Sequence, residues 1–289
     1  MVDSAFALAV FLGKICWLIG QRLIWPMIAF ALLALALKGR AALDDARRAS
    51  AQTRTTLGLY VFDFFLVGPP LGLAVALIVS GVQQYGLGLV SGATWSAVGA
   101  PITMVLTLLL GDFSSYWRHR LEHTRWLWPA HAIHHSDDEM TWLTGNRFHP
   151  VDSLTTVLLD NAVLALLGFP AWAITANELV RHYYGEFIHA DSPWTYGALG
   201  RVFVSPVMHR WHHARDVQGA GSNFATIFSI FDQAFGTYYV PGRCNVPLGV
   251  NDEIGTGTLR SLRYPFVCWF AEMRRAMTTR RAVVEADPT

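Results

Sequence analysis

The pattern along this chain is set first by where charge is missing. From Phe64 through Gly111 there is no Asp, Glu, Lys or Arg. A helix needs about 20 apolar residues to cross ~30 Å of hydrocarbon, so this run predicts two crossings. The Gly-rich stretch GVQQYGLGLVSG, residues 81 to 92, is the expected turn between them. LIWPMIAFALLALAL, residues 23 to 37, predicts another crossing, extended backward toward Ala5 and kinked at Pro26. Val151 through GFPAW to about His189 predicts a helical hairpin broken at Gly168 and Pro170, with Asp160, Asn161 and Arg181 as polar interruptions. The expected fold is therefore all-α: a multi-pass transmembrane bundle of about four crossings, capped by a cytosolic helical domain. Residues 1–115 form the N-terminal membrane helices. Residues 116–245 form a His-bearing region that includes the hairpin, and 246–289 a cytosolic or interfacial tail, partly disordered toward its end.

Composition agrees. Apolar residues make up 53% of the chain and charged residues 15%, against about 25% in an ordinary soluble domain. A net charge of +1 gives no basic field for nucleic acid. Cys16, Cys244 and Cys268 are far apart and form no C-x-x-C, which argues against a disulfide framework, a zinc ribbon and c-type haem attachment. Asp3 precedes the first apolar stretch and no basic segment opens the chain, so the N-terminus reads as retained rather than as a cleaved signal. Lys38, Arg40, Arg47, Arg48 and Arg54 flank the first crossing, while residues 81–92 carry no cation. The positive-inside rule puts 38–54 in the cytosol and 81–92 outside. The helix beginning near Thr94 then returns to the inner face, where Trp117, Trp126, Trp128 and Trp142 suit the interface.

The chemistry lies in the histidines. All eleven fall between His119 and His213. His119 and His123 are i, i+4, one face of a helix. WPAHAIHH places His131, His134 and His135 at i, i+3, i+4, and MHRWHH repeats this spacing as His209, His212 and His213. Neutral imidazole is the commonest metal ligand, and eight histidines exceed what one ion takes, so the pattern points to two metals. A chance cluster on a solvated face is the bland reading. The hydrophobic, aromatic-rich setting and the helical spacing argue against it, and against a low-complexity metal-storage tract.

DFSSYWRHRLEH, LWPAHAIHHSDDEM, NRFHPVDS, FIHADSP, SPVMHRWHHARD and FDQAFGTYY resemble the fatty acid hydroxylase and sterol desaturase superfamily, integral-membrane di-iron oxygenases, from about Asp112 to Tyr239. The resemblance implies that His119, His123, His131, His134, His135, His189, His209, His212 and His213 are metal ligands. His149, in RFHP, matches a family position that ligates or supports a ligand. Some members carry His or Gln four residues before the lone histidine, where this chain has Gly185. His182, seven residues before His189, is the expected substitute ligand, with Glu186 or water as alternatives. Asp112, seven residues before His119, is expected to accept the N–H of a ligand histidine, the alternative being an ion pair with Arg118 or Arg181. Asn223 and Asp232 are further expected supports.

The resemblance also implies the reaction: two Fe ions, with Zn as a possible substituted metal, use O2 to hydroxylate or desaturate an unactivated C–H bond of a lipid such as a fatty acyl chain or sterol. No P-loop, dinucleotide fingerprint or iron–sulfur cysteine set appears, so electrons are expected from a separate donor of ferredoxin or cytochrome b5 type. Two other classes compete. A membrane zinc hydrolase would use two metals to activate water, but no nucleophile elbow accompanies the histidines. A haem-binding or metal-transport protein would need fewer ligands or mid-span ligands.

Overall fold

Helix propensity and apolar runs dominate the computed structural model, which describes residues 2–216 and 221–286. All regular structure among these residues is helical; one isolated bridge pairs Ala214 with Leu248. The chain divides into two units at Arg48.

The first unit contains α1 (Val2–Lys38) and α2 (Ala41–Arg48). Pro26 lies within α1, and Gly39, at φ 58°, makes the turn between them. Lys38 Nζ donates to Asp45 at 2.6 Å across that turn. Gly20–Lys38 is long and apolar enough to cross a membrane. The polar stretch after it is helical, with charges paired one turn apart, as in Arg47–Asp44 at 2.9 Å.

The second unit begins with one helix that changes pitch rather than direction. α3 (Ser50–Phe62) passes through a π-helical turn (Asp63–Val67) into α4 (Gly68–Gln84). Ser50–Gln84 is the second candidate crossing. Sequence placed its start near Phe64; the helix starts earlier because the uncharged Thr55, Thr56 and Leu59 have buried partners to pack on. α5 (Gly92–Val98) and α6 (Ala100–Glu122) meet at 115° about Gly99, whose φ is 86°, and make a third crossing only if the bent pair is one span.

The predicted hairpin exists. α8 (Pro150–Thr155), a π turn (Thr156–Asn161) and α9 (Ala162–Leu166) form its first arm and α10 (Ala171–His189) its second; the short α7 (Trp128–His135) precedes it. Gly168 turns the apex at φ 77°, and a side chain there would collide with the Val90 carbonyl. Trp95 stacks on Phe169 with centroids 4.1 Å apart. Neither arm passes as a span by length and composition: the first is short, and α10 carries Glu178, Arg181 and Glu186. The described residues thus hold two candidate crossings, or three with the bent pair, where sequence expected about four. Gly111 of α6 meets Asn177 of α10 so closely that a Cβ would sit 2.7 Å from Asn177 Oδ1. That contact brings the ends of α6 and α10 together.

After α10 come α11 (Pro206–His212) and α12 (Ile230–Ala234), then α13 (Thr258–Ala286). The expected tail is therefore mostly one long helix; its last residues, 287–289, lie outside the described residues. A core of Tyr116, Ile188, Val204, Met208 and Phe224 joins α6, α10 and α11.

Candidate metal centre

Four helix ends carry the histidines to one place. α6 brings His119, and His123 is its C-cap. α7 and α11 both have proline in the first turn, where its missing N–H costs nothing. α7 presents His131, His134 and His135. α11 presents His209 and His212, with His213 as C-cap. α10 ends on His189.

Their ring nitrogens fall into two groups. His119, His123, His131, His135 and His212 each place one nitrogen within 4.8 Å of the others, and His134, His189, His209 and His213 do likewise. The motifs are shared between the groups. The i, i+4 pairs 119/123 and 131/135 serve the first group, while His134, between them in sequence, serves the second. The later triplet does the reverse: 209/213 serve the second group and His212 the first. The groups adjoin, with His135 stacked on His213 at 4.3 Å.

The first group is fixed from behind. His119 Nδ1–H donates to the Phe224 carbonyl at 2.8 Å, and His212 Nδ1–H to that of Ser222 at 2.6 Å. His131 Nδ1 faces Asp152 at 3.1 Å and Glu122 at 3.6 Å. In the second group His189 Nδ1–H donates to the Gly185 carbonyl at 2.6 Å. Each donation leaves the lone pair on Nε2. Nε2 of His119, His123 and His212 and both ring nitrogens of His213 are buried without a hydrogen-bond partner. Nε2 of His189 lies 2.9 Å from that of His209 and 3.2 Å from that of His134. An unpaired buried acceptor costs ~1–3 kcal/mol, and converging lone pairs repel; a shared cation removes both penalties. The donor set fits one metal ion per group.

Electrostatics keeps His134, His135, His189, His209, His212 and His213 neutral. Burial above all, then neighbouring imidazoles, hold His134, His135, His209 and His213 well below the usual histidine range. Burial pushes His212 down to about 3 and His189 to about 4. Those six rings are therefore ligand-competent at neutral pH.

The supports differ from expectation. No hydrogen bond of Asp112 goes to a histidine of either group. It accepts from Arg181 Nη1 at 2.8 Å and from the backbone N–H groups of Thr226, Ile227 and Phe228 at 2.7–3.2 Å. Both oxygens are filled, so the Arg181 ion pair is its role, and it acts by holding the 224–228 strip. Asn223 and Asp232 also act through backbone. Asn223, at φ 60°, donates Nδ2–H to the Met208 and Tyr239 carbonyls, which holds the flanking Ser222 and Phe224 carbonyls toward His212 and His119. Asp232 accepts from the Phe224 and Ala225 amides at 2.7 and 3.0 Å.

His149 and His182 lie outside both groups. His149 caps α8: Nδ1 accepts from Val151 N at 3.3 Å and Nε2–H donates to the Leu262 carbonyl at 3.2 Å, which occupies both nitrogens. His182 sits at the rim, 3.5 Å from Glu186 Oε1. Glu186 itself accepts from Asn146 Nδ2 at 2.8 Å and belongs to neither group. At Gly185 a Cβ would meet nothing within 4 Å, so a side chain four residues before His189 would have open space.

Sequence reading missed Glu122, Asp152 and Arg147. Asp152 carried a signal: HPVD has N-cap to N3 spacing, and its carboxylate also accepts from the His149 amide at 3.1 Å. Arg147 carried none. It is fully buried and donates to the Ile133 carbonyl, Thr56 Oγ1 and Ser136 Oγ, tying the end of α7 to α3.

A cleft of about 250 Å³, lined by His123, His135, His212, Trp128, Arg215 and Asp252, reaches the first group.

The model of the family described as fatty acid hydroxylase matches residues 104–237, which contain all nine grouped histidines. This stretch, just under half of the chain, is similar to the fatty acid hydroxylase family. The resemblance drawn from the motifs therefore holds. Similar curated proteins include ornithine lipid hydroxylase OlsE of Rhizobium tropici, 32% identical over 165 residues, covering 56% of this chain and 50% of that protein. Alkylglycerol monooxygenase of Danio rerio is 28% identical over 169 residues, 57% of this chain and 37% of its own length. Very-long-chain aldehyde decarbonylase GL1-8 of Oryza sativa subsp. indica is 28% identical over 150 residues, 50% and 53%. The chain spans about half or less of these relatives. No solved structure matches it.

Proposed function

We propose that this chain is a membrane-bound di-iron oxygenase that hydroxylates, or desaturates, an unactivated C–H bond of a long-chain lipid. The observation that carries the reading is nine histidines, eight buried and His123 half-buried, in two groups inside a region matching the fatty acid hydroxylase family that follows candidate membrane helices. The relatives named above act on an ornithine lipid, an alkylglycerol and a very-long-chain aldehyde, which supports a lipid substrate. Imidazole ligates zinc as readily as iron; the oxygenase names among the relatives favour iron.

When bound, the metal pair supplies electron transfer to O2 and the oxidising power for C–H cleavage. The overall balance for hydroxylation is RH + O2 + two electrons + two protons giving ROH + H2O. The electrons come from a separate donor of ferredoxin or cytochrome b5 type. The chain's own residues hold, shield and orient. The nine histidines bind; Asp152 and Glu122 orient His131; the carbonyls of Phe224, Ser222 and Gly185 fix three tautomers. Tyr116, Ile188, Met208 and Phe224 form an apolar floor that keeps bulk water away. The apolar faces of 94–111 and 151–190 are the proposed cradle for the lipid chain. The basic flank at 38–54 supports a topology with the histidine cluster at the cytosolic face.

The test is the purified full chain in lipid nanodiscs. Two iron atoms per chain, reductant-dependent O2 uptake and a lipid gaining one oxygen or losing two hydrogens are the expected results. Zinc as the bound metal together with ester or phosphate hydrolysis would overturn the reading.

A further inference from the structure

α13 carries an exposed apolar stripe that its own fold does not cover. Leu259, Phe266, Phe270, Met273 and Met277 are 82, 58, 59, 56 and 64% exposed. At 100° per residue these five positions fall within one narrow face of the helix. Arg260, Arg263 and Arg274 line one edge of the stripe and Arg275 follows, and Glu272 is the one carboxylate among described side chains 258–278. The opposite edge is held to the second unit: the Leu262 carbonyl accepts from His149 Nε2–H, and Trp269 Nε1–H donates to the Trp126 carbonyl at 2.8 Å. Trp126 is itself 59% exposed, and Trp117 and Leu121 at the end of α6 are likewise exposed. Phe266 packs on Trp269 with ring centroids 5.6 Å apart, so the stripe reaches the exposed Trp126 through Trp269.

We propose that α13 lies along the bilayer surface, with its apolar stripe in the acyl boundary and its arginines on anionic lipid headgroups. Three observations select lipid over a second copy of the chain or a soluble protein. Bulky side chains with no charge among them form the stripe, which suits hydrocarbon. Arginines border it, long enough to snorkel to phosphates. The exposed Trp126 adjoins it, a residue type that favours the membrane interface. In an antiparallel pair of copies the same arginine edges would be brought together. An anionic leaflet attracts it. Pinning α13 in this way also steadies His149 and, through the α8 cap, Asp152 behind His131. The inference rests on the chain being membrane-embedded and not on its oxygenase chemistry.

The test uses spin labels on the full chain in nanodiscs, with native cysteines replaced by serine. Phe270→Cys, Met273→Cys and Arg275→Cys carry the label. Collision rates with O2, which concentrates in lipid, are compared with those of a water-soluble nickel chelate, in phosphatidylcholine with and without phosphatidylglycerol. Positions 270 and 273 should favour O2 several-fold and position 275 the chelate, with insertion deepened by phosphatidylglycerol. Arg274→Glu with Arg275→Glu, tested with the label at 273, should abolish the phosphatidylglycerol effect. Equal chelate access at 270, 273 and 275 would overturn the proposal. So would shielding from both reagents with crosslinking between copies, or insertion indifferent to phosphatidylglycerol. Metal content and turnover are not read, so this outcome is independent of the oxygenase reading.

Discussion

The two histidine groups follow one plan, and one of them is missing a piece. The first takes two i, i+4 pairs, 119/123 and 131/135, plus the single His212. The second takes one pair, 209/213, plus the single His134, and then only His189 where a second pair would complete the pattern. The absent partner falls four residues before His189, at Gly185. The groups also differ in support. Two carbonyls and two carboxylates brace the first, whereas His209 and His213 keep buried Nδ1 atoms with no hydrogen-bond partner. His134 relies on stacking against Phe148, with ring centroids 4.9 Å apart. Ligand orientation raises affinity, so the first group should hold its metal more tightly and the second should be the open, exchangeable position.

Removing a ligand tests the comparison most harshly. His213→Ala should drop metal content from two to about one per chain by mass spectrometry and abolish turnover; retention of both metals would show that the grouping is wrong. Next is Asp152→Asn, which leaves His131 in place but weakens its brace. A loss of about 10–100-fold in metal affinity is expected, confined to the first group. Asp112→Ala breaks a buried ion pair and should cost ~3–5 kcal/mol of stability, seen as a lower Tm, with metal loss following the unfolding rather than preceding it. Metal loss at unchanged Tm would return Asp112 to a direct role beside a ligand. Gly185→His completes the second plan and should slow chelator removal of the second metal. His182→Gln should leave metal content unchanged, since His182 lies outside both groups.

The smallest effect is on pH. Burial depresses His212 to about 3 in the folded chain, while an unfolded histidine titrates near ~6.5. Between those values the unfolded state binds more protons, so stability falls as pH falls. The metal-free protein should keep its full Tm above about pH 6.5 and lose it progressively below. Metal-loaded protein should resist until its ligands compete with protons.

Much of this was legible in the sequence. Helical spacing marked each triplet as one face, the number of imidazoles exceeded the needs of one ion, and the order of motifs carried the family. The hairpin and its Gly168 turn were legible from the apolar runs and their break. The described helices long and apolar enough to cross number two or three rather than four, because α10 is a polar-lined arm, its Arg181 committed to Asp112 inside the protein. The role given to Asp112 failed for a related reason. Helical spacing put it on the face of His119, but spacing cannot reveal that the 226–228 backbone arrives from the far end of the chain to fill both oxygens.

The sequence by itself determined which residues are ligands to be considered and that the helices suit a membrane, because periodicity and residue chemistry are local. Only tertiary structure decided how nine imidazoles divide, since His131 and His134 share a helix yet serve different groups. It alone assigned His149 to a cap and left Gly185 open, because those outcomes depend on what packs opposite: the Leu262 carbonyl in one case and nothing within 4 Å in the other.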